Sequence, residues 1–190
     1  MQRIRSFIAI PVASGVASRA QELIRRLRTC NAAVNWVAPH NLHLTLKFLG
    51  ETPINETPEI CAAVTRAAAD APPFDLAFRG LSAFPSPEKP RTIWLGISDG
   101  MDELAELAQR VDDELNLLGY PREARRFTPH LTIGRVRETI LPDHPLIEAM
   151  ARHVDYDANV MGVDEVVVYA SFLERGGPIY DALGSAELSG

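Results

Sequence analysis

The sequence predicts an α+β protein built largely on antiparallel sheet, and three observations carry that expectation. Strand-like and helix-like segments are mixed along the chain rather than strictly alternating, as repeated βαβ units would be. Two segments, 42–49 and 130–136, alternate polar and apolar residues with period two, the pattern of a strand with one buried face. The 190 residues are 46% hydrophobic and 23% charged, enough to bury a core, and no low-complexity linker divides them. A single domain over residues 1–190 is expected.

The elements follow in order. A strand over Arg3–Ile10 leads through Pro11 to a helix over Ser14–Thr29, where Val16, Ala20, Leu23, Ile24 and Leu27 recur at helical spacing. Leu42–Leu49 is the first alternating strand. A helix over Pro58–Ala69 is expected to start from Thr57 as N-cap, with Pro58 at the first helical position and an alanine-rich interior. Strands over Phe74–Phe84 and Arg91–Ile97 flank the turn-rich run from Pro85 to Pro90. A helix over Met101–Leu118 presents Leu104, Leu107, Ala108, Val111, Leu115 and Leu118 on one face, with Gly119 as its stop. His130–Val136 is the second alternating strand. A short helix over Pro145–Arg152 precedes a hairpin of Glu165–Leu173 and Ile179–Leu183, turning near Gly176-Gly177.

Composition excludes several classes of function. A net charge of −6 and a pI near 5.4 oppose a protein that coats long nucleic acid by neutralising phosphates, although a short or terminal substrate remains compatible. Cys30 and Cys61 lie far apart and form no C-x-x-C pair, so neither a disulfide framework nor a thiolate zinc site is indicated, and a reducing, cytoplasmic setting fits. Arg3 and Arg5 before the apolar run at Phe7 imitate a signal peptide, but Pro11 interrupts that run and an amphipathic helix follows. No apolar stretch approaches the roughly 20 residues needed to cross a bilayer, so no membrane partner is expected.

The informative residues lie on the two alternating strands. In Asn41-Leu-His43-Leu-Thr45-Leu-Lys47-Phe-Leu-Gly50, period two puts His43, Thr45 and Lys47 on one face and Leu42, Leu44, Leu46 and Phe48 on the other. Thr128-Pro-His130-Leu-Thr132-Ile-Gly134 repeats the arrangement, with His130 and Thr132 opposite Leu131 and Ile133. Either strand alone reads most simply as a solvated polar face. With five His and nine Thr in the chain, however, random placement gives only about a quarter of one His-x-Thr match, and there are two in similar apolar surroundings.

The doubled His-x-Thr motif resembles the two-histidine phosphoesterase superfamily, specifically its RNA 2′,3′-cyclic phosphodiesterase branch, formerly called 2′-5′ RNA ligases. The likeness runs from Arg3-Ile-Arg-Ser-Phe7 and Trp36 through both motifs and Pro90-Arg-Thr-Ile-Trp94 to Phe127, Tyr169-Ala-Ser171 and Gly177-Pro-Ile-Tyr180. The order of these motifs makes the match specific, and no departure occurs at the four His and Thr positions. The resemblance implies a bilobal, pseudo-twofold α+β fold with a central cleft and helices outside. It further implies His43 as proton donor and His130 as proton acceptor, with the 3′-oxygen leaving and a 2′-phosphate remaining.

The chemistry accounts for the residue types. Opening a cyclic phosphate with water needs a base for the water's proton and an acid for the departing ribose oxygen, roughly in line across phosphorus. Two imidazoles, with an unperturbed pKa of about 6.5, supply both without metal or cofactor. Thr45 and Thr132 hydroxyls can donate to the non-bridging oxygens as charge grows there. Arg122, Arg125, Arg126, Arg135 and Arg137 form a basic spot around the second motif against only Glu123 and Glu138, suited to a phosphate-bearing end. Arg135 is the expected substrate contact among them, although strict alternation points it away from His130, so a twist or bulge is required.

Phe7, Trp36, Phe84, Trp94, Phe127 and Tyr169 could stack on a base but at strand positions are expected chiefly in the core, while His40, His144 and His153 read as surface or capping residues. The expected partners are RNA ends or small cyclic-phosphate nucleotides, bound by a monomer. Two rivals stand beside this reading. One is a metallohydrolase using His40, His43, His130 and a carboxylate; the other is a non-catalytic RNA-end binding module or an enzyme for another cyclic phosphate or 2′-5′ linkage.

Overall fold

A computed structural model describes residues 2–123 and 127–190. The expected α+β architecture is observed, with every strand pair antiparallel. One sheet has four strands in the order β3-β1-β8-β9, formed by His43–Pro53, Arg3–Pro11, Glu165–Glu174 and Gly177–Glu187. The other has five in the order β2-β6-β5-β4-β7, formed by Val34–Trp36, Leu131–Val136, Lys89–Asp99, Phe74–Ser86 and Asp157–Val163. Among the described residues four α-helices, α1 (Ser14–Arg28), α2 (Thr57–Ala69), α3 (Met101–Leu117) and α4 (Pro145–Arg152), cover the sheets.

The helices tie the two sheets together. The helix α1 leaves β1 of the four-stranded sheet yet packs on β7 of the other, through the buried stripe Val16, Ala20, Leu23, Ile24 and Leu27. In the opposite sense α3 leaves β5 and packs against α2 and β3, burying Leu104, Leu107, Ala108, Val111 and Leu115. Acidic Asp102 and Glu103 sit in its first turn, where the helix dipole favours them. Its end is the stop read from Gly119. With φ of 89°, that residue carries a Schellman turn in which Gly119 N–H donates to Asn116 O (3.0 Å) and Tyr120 N–H to Leu115 O (3.1 Å).

Several boundaries differ from expectation for local reasons. Thr57 is the first helical residue of α2 rather than its cap; Glu56, at the end of a 3-10 turn over Ile54–Glu56, holds the N-cap position without a side-chain capping bond, its carboxylate accepting instead from Tyr120 Oη–H at 2.8 Å. The Pro85–Pro90 run does not break the sheet, because β4 continues to Ser86 and β5 resumes at Lys89, leaving Pro87 and Glu88 at the hairpin tip. Two strands escape the periodic reading. The three-residue β2 is too short to show a period, and Asn159 at φ 81° breaks the alternation of β7, leaving Val160 exposed between buried Ala158 and Met161.

Candidate functional site

Both His-x-Thr strands carry a bulge in the same place. On β3, Thr45 pairs with Ala9 of β1 while Lys47 pairs with the adjacent Ile8, so Leu46 is an extra residue. On β6, Thr132 pairs with Trp94 of β5 while Gly134 pairs with the adjacent Ile93, so Ile133 is the extra residue. A bulge moves everything beyond it to the other face. From each histidine onward the exposure then reads identically: half-buried, buried, half-buried, two buried, exposed.

The first bulge corrects the faces read from alternation. Lys47 does not share a face with His43 and Thr45; it is turned inward, 3% exposed, where Nζ donates to Pro121 O (2.7 Å) and pairs with Asp112 of α3. Phe48 takes the outward place and is 63% exposed on the His43 face, beside the Phe7 ring at 6.1 Å. Sequence reading put Phe48 in the core. The second bulge does the same to the equivalent positions: Gly134 turns inward, and Arg135, paired with Thr92, joins the face of Thr132 and Trp94. Glycine is required at 134, since a Cβ there would lie 2.8 Å from the Trp36 ring and 2.9 Å from Val34 Cγ1 on the neighbouring strand β2. Phe48 and Arg135 are thus equivalent residues of the two motifs.

Each histidine is held in the same way. His43 Nδ1 lies 2.8 Å from Asn41 O, and His130 Nδ1 lies 2.7 Å from Thr128 O. A carbonyl only accepts, so Nδ1 carries the hydrogen in both rings and Nε2 is left to exchange a proton. Aromatic rings pack around each imidazole. Phe7 of β1 lies 4.8 Å from His43 and stacks on Tyr169 of β8 at 5.3 Å. The corresponding strands of the second sheet supply Trp94 of β5, 6.1 Å from His130, and Phe84 of β4, edge-on at 5.0 Å. Phe7, Phe84, Trp94 and Tyr169 therefore wall the histidines rather than only filling core. Trp36 and Phe127 do pack against the core, half-buried.

The four-stranded sheet curls until its edge strands β3 and β9 approach. Tyr180 of β9 meets the His43 ring edge-on at 5.1 Å, and Asn41 Nδ2 donates to Pro178 O at 2.8 Å. The two sheets meet where β3 packs against β6. Arg135 on β6 is close enough for its charge to act on both His43 and Tyr180. Burial holds the His43 imidazole below its ordinary range; the bond to Asn41 works in the opposite direction, and the Arg135 guanidinium adds to the lowering. Burial raises the Tyr180 phenol, which Arg135 partly offsets, and burial raises Tyr169, with Glu165 adding to it.

Among the described residues, the Thr45 and Thr132 hydroxyls have no protein partner, and no carboxylate pairs with Arg135, whose Nη1 lies 3.5 Å from Thr92 Oγ1. The rest of the basic spot divides. Arg122 is engaged with Asp113 and lies 3.8 Å from Asp112 Oδ2, Arg137 is exposed, and Arg125 and Arg126 fall outside the described residues. His144 caps α4 by accepting from Leu146 N–H at 3.1 Å, and His153 bonds Ala149 O at 2.7 Å. His40 is exposed in the 3-10 turn Pro39–Asn41, and among the described residues no three His, Cys, Asp or Glu side chains converge as a metal site would need.

Comparison with known proteins places this geometry. Residues 16–171 match the sequence profile of the 2′-5′ RNA ligase superfamily. The chain belongs to that superfamily. One relative within it, from Thermotoga maritima, is 34% identical over 98% of this chain and 97% of its own, and is named RNA 2′,3′-cyclic phosphodiesterase. A second of that name, from Methanothermobacter thermautotrophicus, is 32% identical over 94% and 95%. Among solved structures, TT0787 of Thermus thermophilus superposes with a TM-score of 0.82 at 27% identity over 98% of this chain and 99% of that one. E. coli LigT complexed with 3′-AMP superposes with a TM-score of 0.76 at 26% identity over the full length of both. The two-sheet fold described above is shared with these solved structures.

Proposed function

We propose that the protein hydrolyses RNA 2′,3′-cyclic phosphate ends to 2′-phosphates, with His43 and His130 as its acid and base. The observation that carries the reading is the repeated strand: two histidines, each with Nδ1 committed to a backbone carbonyl, each followed by a threonine, with Nε2 and the threonine hydroxyl unpartnered among the described residues. The names of the relatives supply the substrate class. In the reaction, His130 Nε2 takes a proton from water as the oxygen attacks phosphorus, and His43 Nε2–H protonates the departing 3′-oxygen. Both protons are then accounted for. Which histidine plays which part follows the family resemblance.

The other groups have roles that fit their chemistry. Thr45 and Thr132 hydroxyls and the Arg135 guanidinium face the non-bridging oxygens, where a planar fork of donors suits a phosphate. Exposed Phe48 offers a ring on which the terminal base stacks. In the free protein burial and Arg135 favour neutral His43; a bound phosphate anion between the two opposes the guanidinium and favours the protonated acid. No step needs a metal. We read the protein as a cytoplasmic monomer, a reducing setting being the one that suits the free thiols of Cys30 and Cys61. No helix among the described residues is long and apolar enough to cross a membrane. The test is product analysis on an oligoribonucleotide ending in a 2′,3′-cyclic phosphate, with EDTA in excess: a 2′-phosphate product in chelator supports the reading. Activity lost in chelator and restored by zinc or manganese overturns the metal-free mechanism.

A further inference from the structure

We propose that the cationic end of β5 and β6 is a track for the phosphodiester backbone of the RNA strand, on the 5′ side of its cyclic phosphate. This rests on the substrate class proposed above. A cyclic phosphate terminates its strand, so every additional phosphate of the substrate lies on one side of the reacting atom. Such a chain needs fixed positive charge leading away from the histidines.

The structure places that charge. Beyond the β6 bulge, Arg135 and Arg137 are two residues apart on one face, a step of about 6.6 Å. Arg137 lies one residue past the end of β6, its N–H donating to Ala33 O at 2.8 Å just beyond the end of β2. Thr92 pairs with Arg135, and beyond it at the same end of β5 lie Arg91, an extra residue skipped where Phe84 pairs with Thr92 and Pro85 with Pro90, and Lys89, paired with Ser86; Arg91 Nη2 reaches Thr139 Oγ1 at 3.4 Å. Arg135 begins the series, since its charge already acts on His43. Lys89, Arg91, Arg135 and Arg137 are all exposed.

What sets these four apart is their grouping at one end of β5 and β6, since Arg3, Arg5, Arg25, Arg28, Arg79 and Arg175 also lie outside any ion pair among the described residues. On the helix surfaces Arg19, Arg26, Arg66, Arg110 and Arg152 each pair with a glutamate. Among the described residues no carboxylate comes within ion-pair distance of Lys89, Arg91, Arg135 or Arg137, although Glu88 and Glu138 lie at the same end in sequence. In a chain of net charge −6, four cations grouped at one end of β5 and β6, outside any ion pair among the described residues, amount to a local field of the opposite sign.

The test compares the full protein with K89A/R91A/R137A, leaving Arg135 in place. Binding of an oligoribonucleotide with a 2′-phosphate end is followed by fluorescence anisotropy over a salt series, beside hydrolysis of adenosine 2′,3′-cyclic phosphate. Each single-strand phosphate neutralised contributes about 0.7 to the log–log salt slope, so losing two or three contacts lowers it by about 1.4–2.1. Mononucleotide kcat/KM should stay within about twofold of wild type, which also reports the fold. The milder K89Q/R137Q, which keeps Arg91 on Thr139, should lower the slope by a smaller step. An unchanged slope, or an equal fall in mononucleotide hydrolysis, overturns the track. Wild-type protein that binds RNA with the expected slope but hydrolyses neither substrate supports the track and refutes the catalytic reading instead.

Discussion

Replacing Arg135 by glutamine tests the site at the point where its two halves act on each other. The residue is exposed, has no carboxylate partner among the described residues and touches Thr92 only at 3.5 Å. Its removal strands no buried group, so folding stability should change by no more than about 0.5 kcal/mol. Two charge-assisted hydrogen bonds to phosphate are worth about 1.5–3 kcal/mol each, and glutamine keeps one weaker bond, so the net loss is about 2–4 kcal/mol. That predicts a fall in kcat/KM of about 30- to 700-fold on a cyclic-phosphate substrate. The sign of the accompanying pKa change is fixed: Arg135 lowers the His43 pKa, so R135Q raises it, while burial, the larger cause, remains. An NMR titration should show the His43 midpoint moving to higher pH. If His43 is the acid, the limb of kcat/KM that falls as pH rises moves up with it. A loss below about threefold, or a His43 midpoint that stays put or falls, refutes the reasoning.

Two further substitutions examine the bulge. Phe48→Ala should raise KM by about 5- to 150-fold through loss of base stacking worth about 1–3 kcal/mol, with little change in stability because the ring is 63% exposed; unchanged KM contradicts the stacking role. Lys47→Ala leaves Asp112 without its buried partner and Pro121 O without its donor, so urea denaturation should show a loss of about 3–5 kcal/mol. A cost below about 1 kcal/mol would place Lys47 outside the protein's interior framework.

What the sequence disclosed and what it hid have the same origin. Period-two alternation identified both motif strands and put His43 with Thr45 and His130 with Thr132, because those pairs precede any irregularity. It misplaced Lys47 and Phe48 because Leu46 bulges, and a bulge is set by tertiary pairing that leaves no trace in composition. The requirement for a bulge before Arg135 could be read from the conflict between a phosphate-binding arginine and its apparent face, and Ile133 meets it. Phe48 raises no such conflict, because a phenylalanine among strand leucines fits the buried face that alternation gives it. The walls of the site were illegible for another reason. Phe7, Tyr169 and Tyr180 stand around His43 only because the sheet curls, bringing together strands distant in the chain. Helix α3 was legible to its stop because Gly119 marks a local turn.

The central claim is that His43 and His130 form one acid–base machine, and a double-mutant cycle measures it most directly. On a cyclic-phosphate-ended oligoribonucleotide, H43A and H130A should each lower kcat by about 10²–10⁴-fold while substrate affinity changes far less. The double variant should then be little slower than the worse single, because removing either imidazole already disables the paired proton transfers. Losses that multiply, or an H130A protein turning over at a near-normal rate, would contradict it.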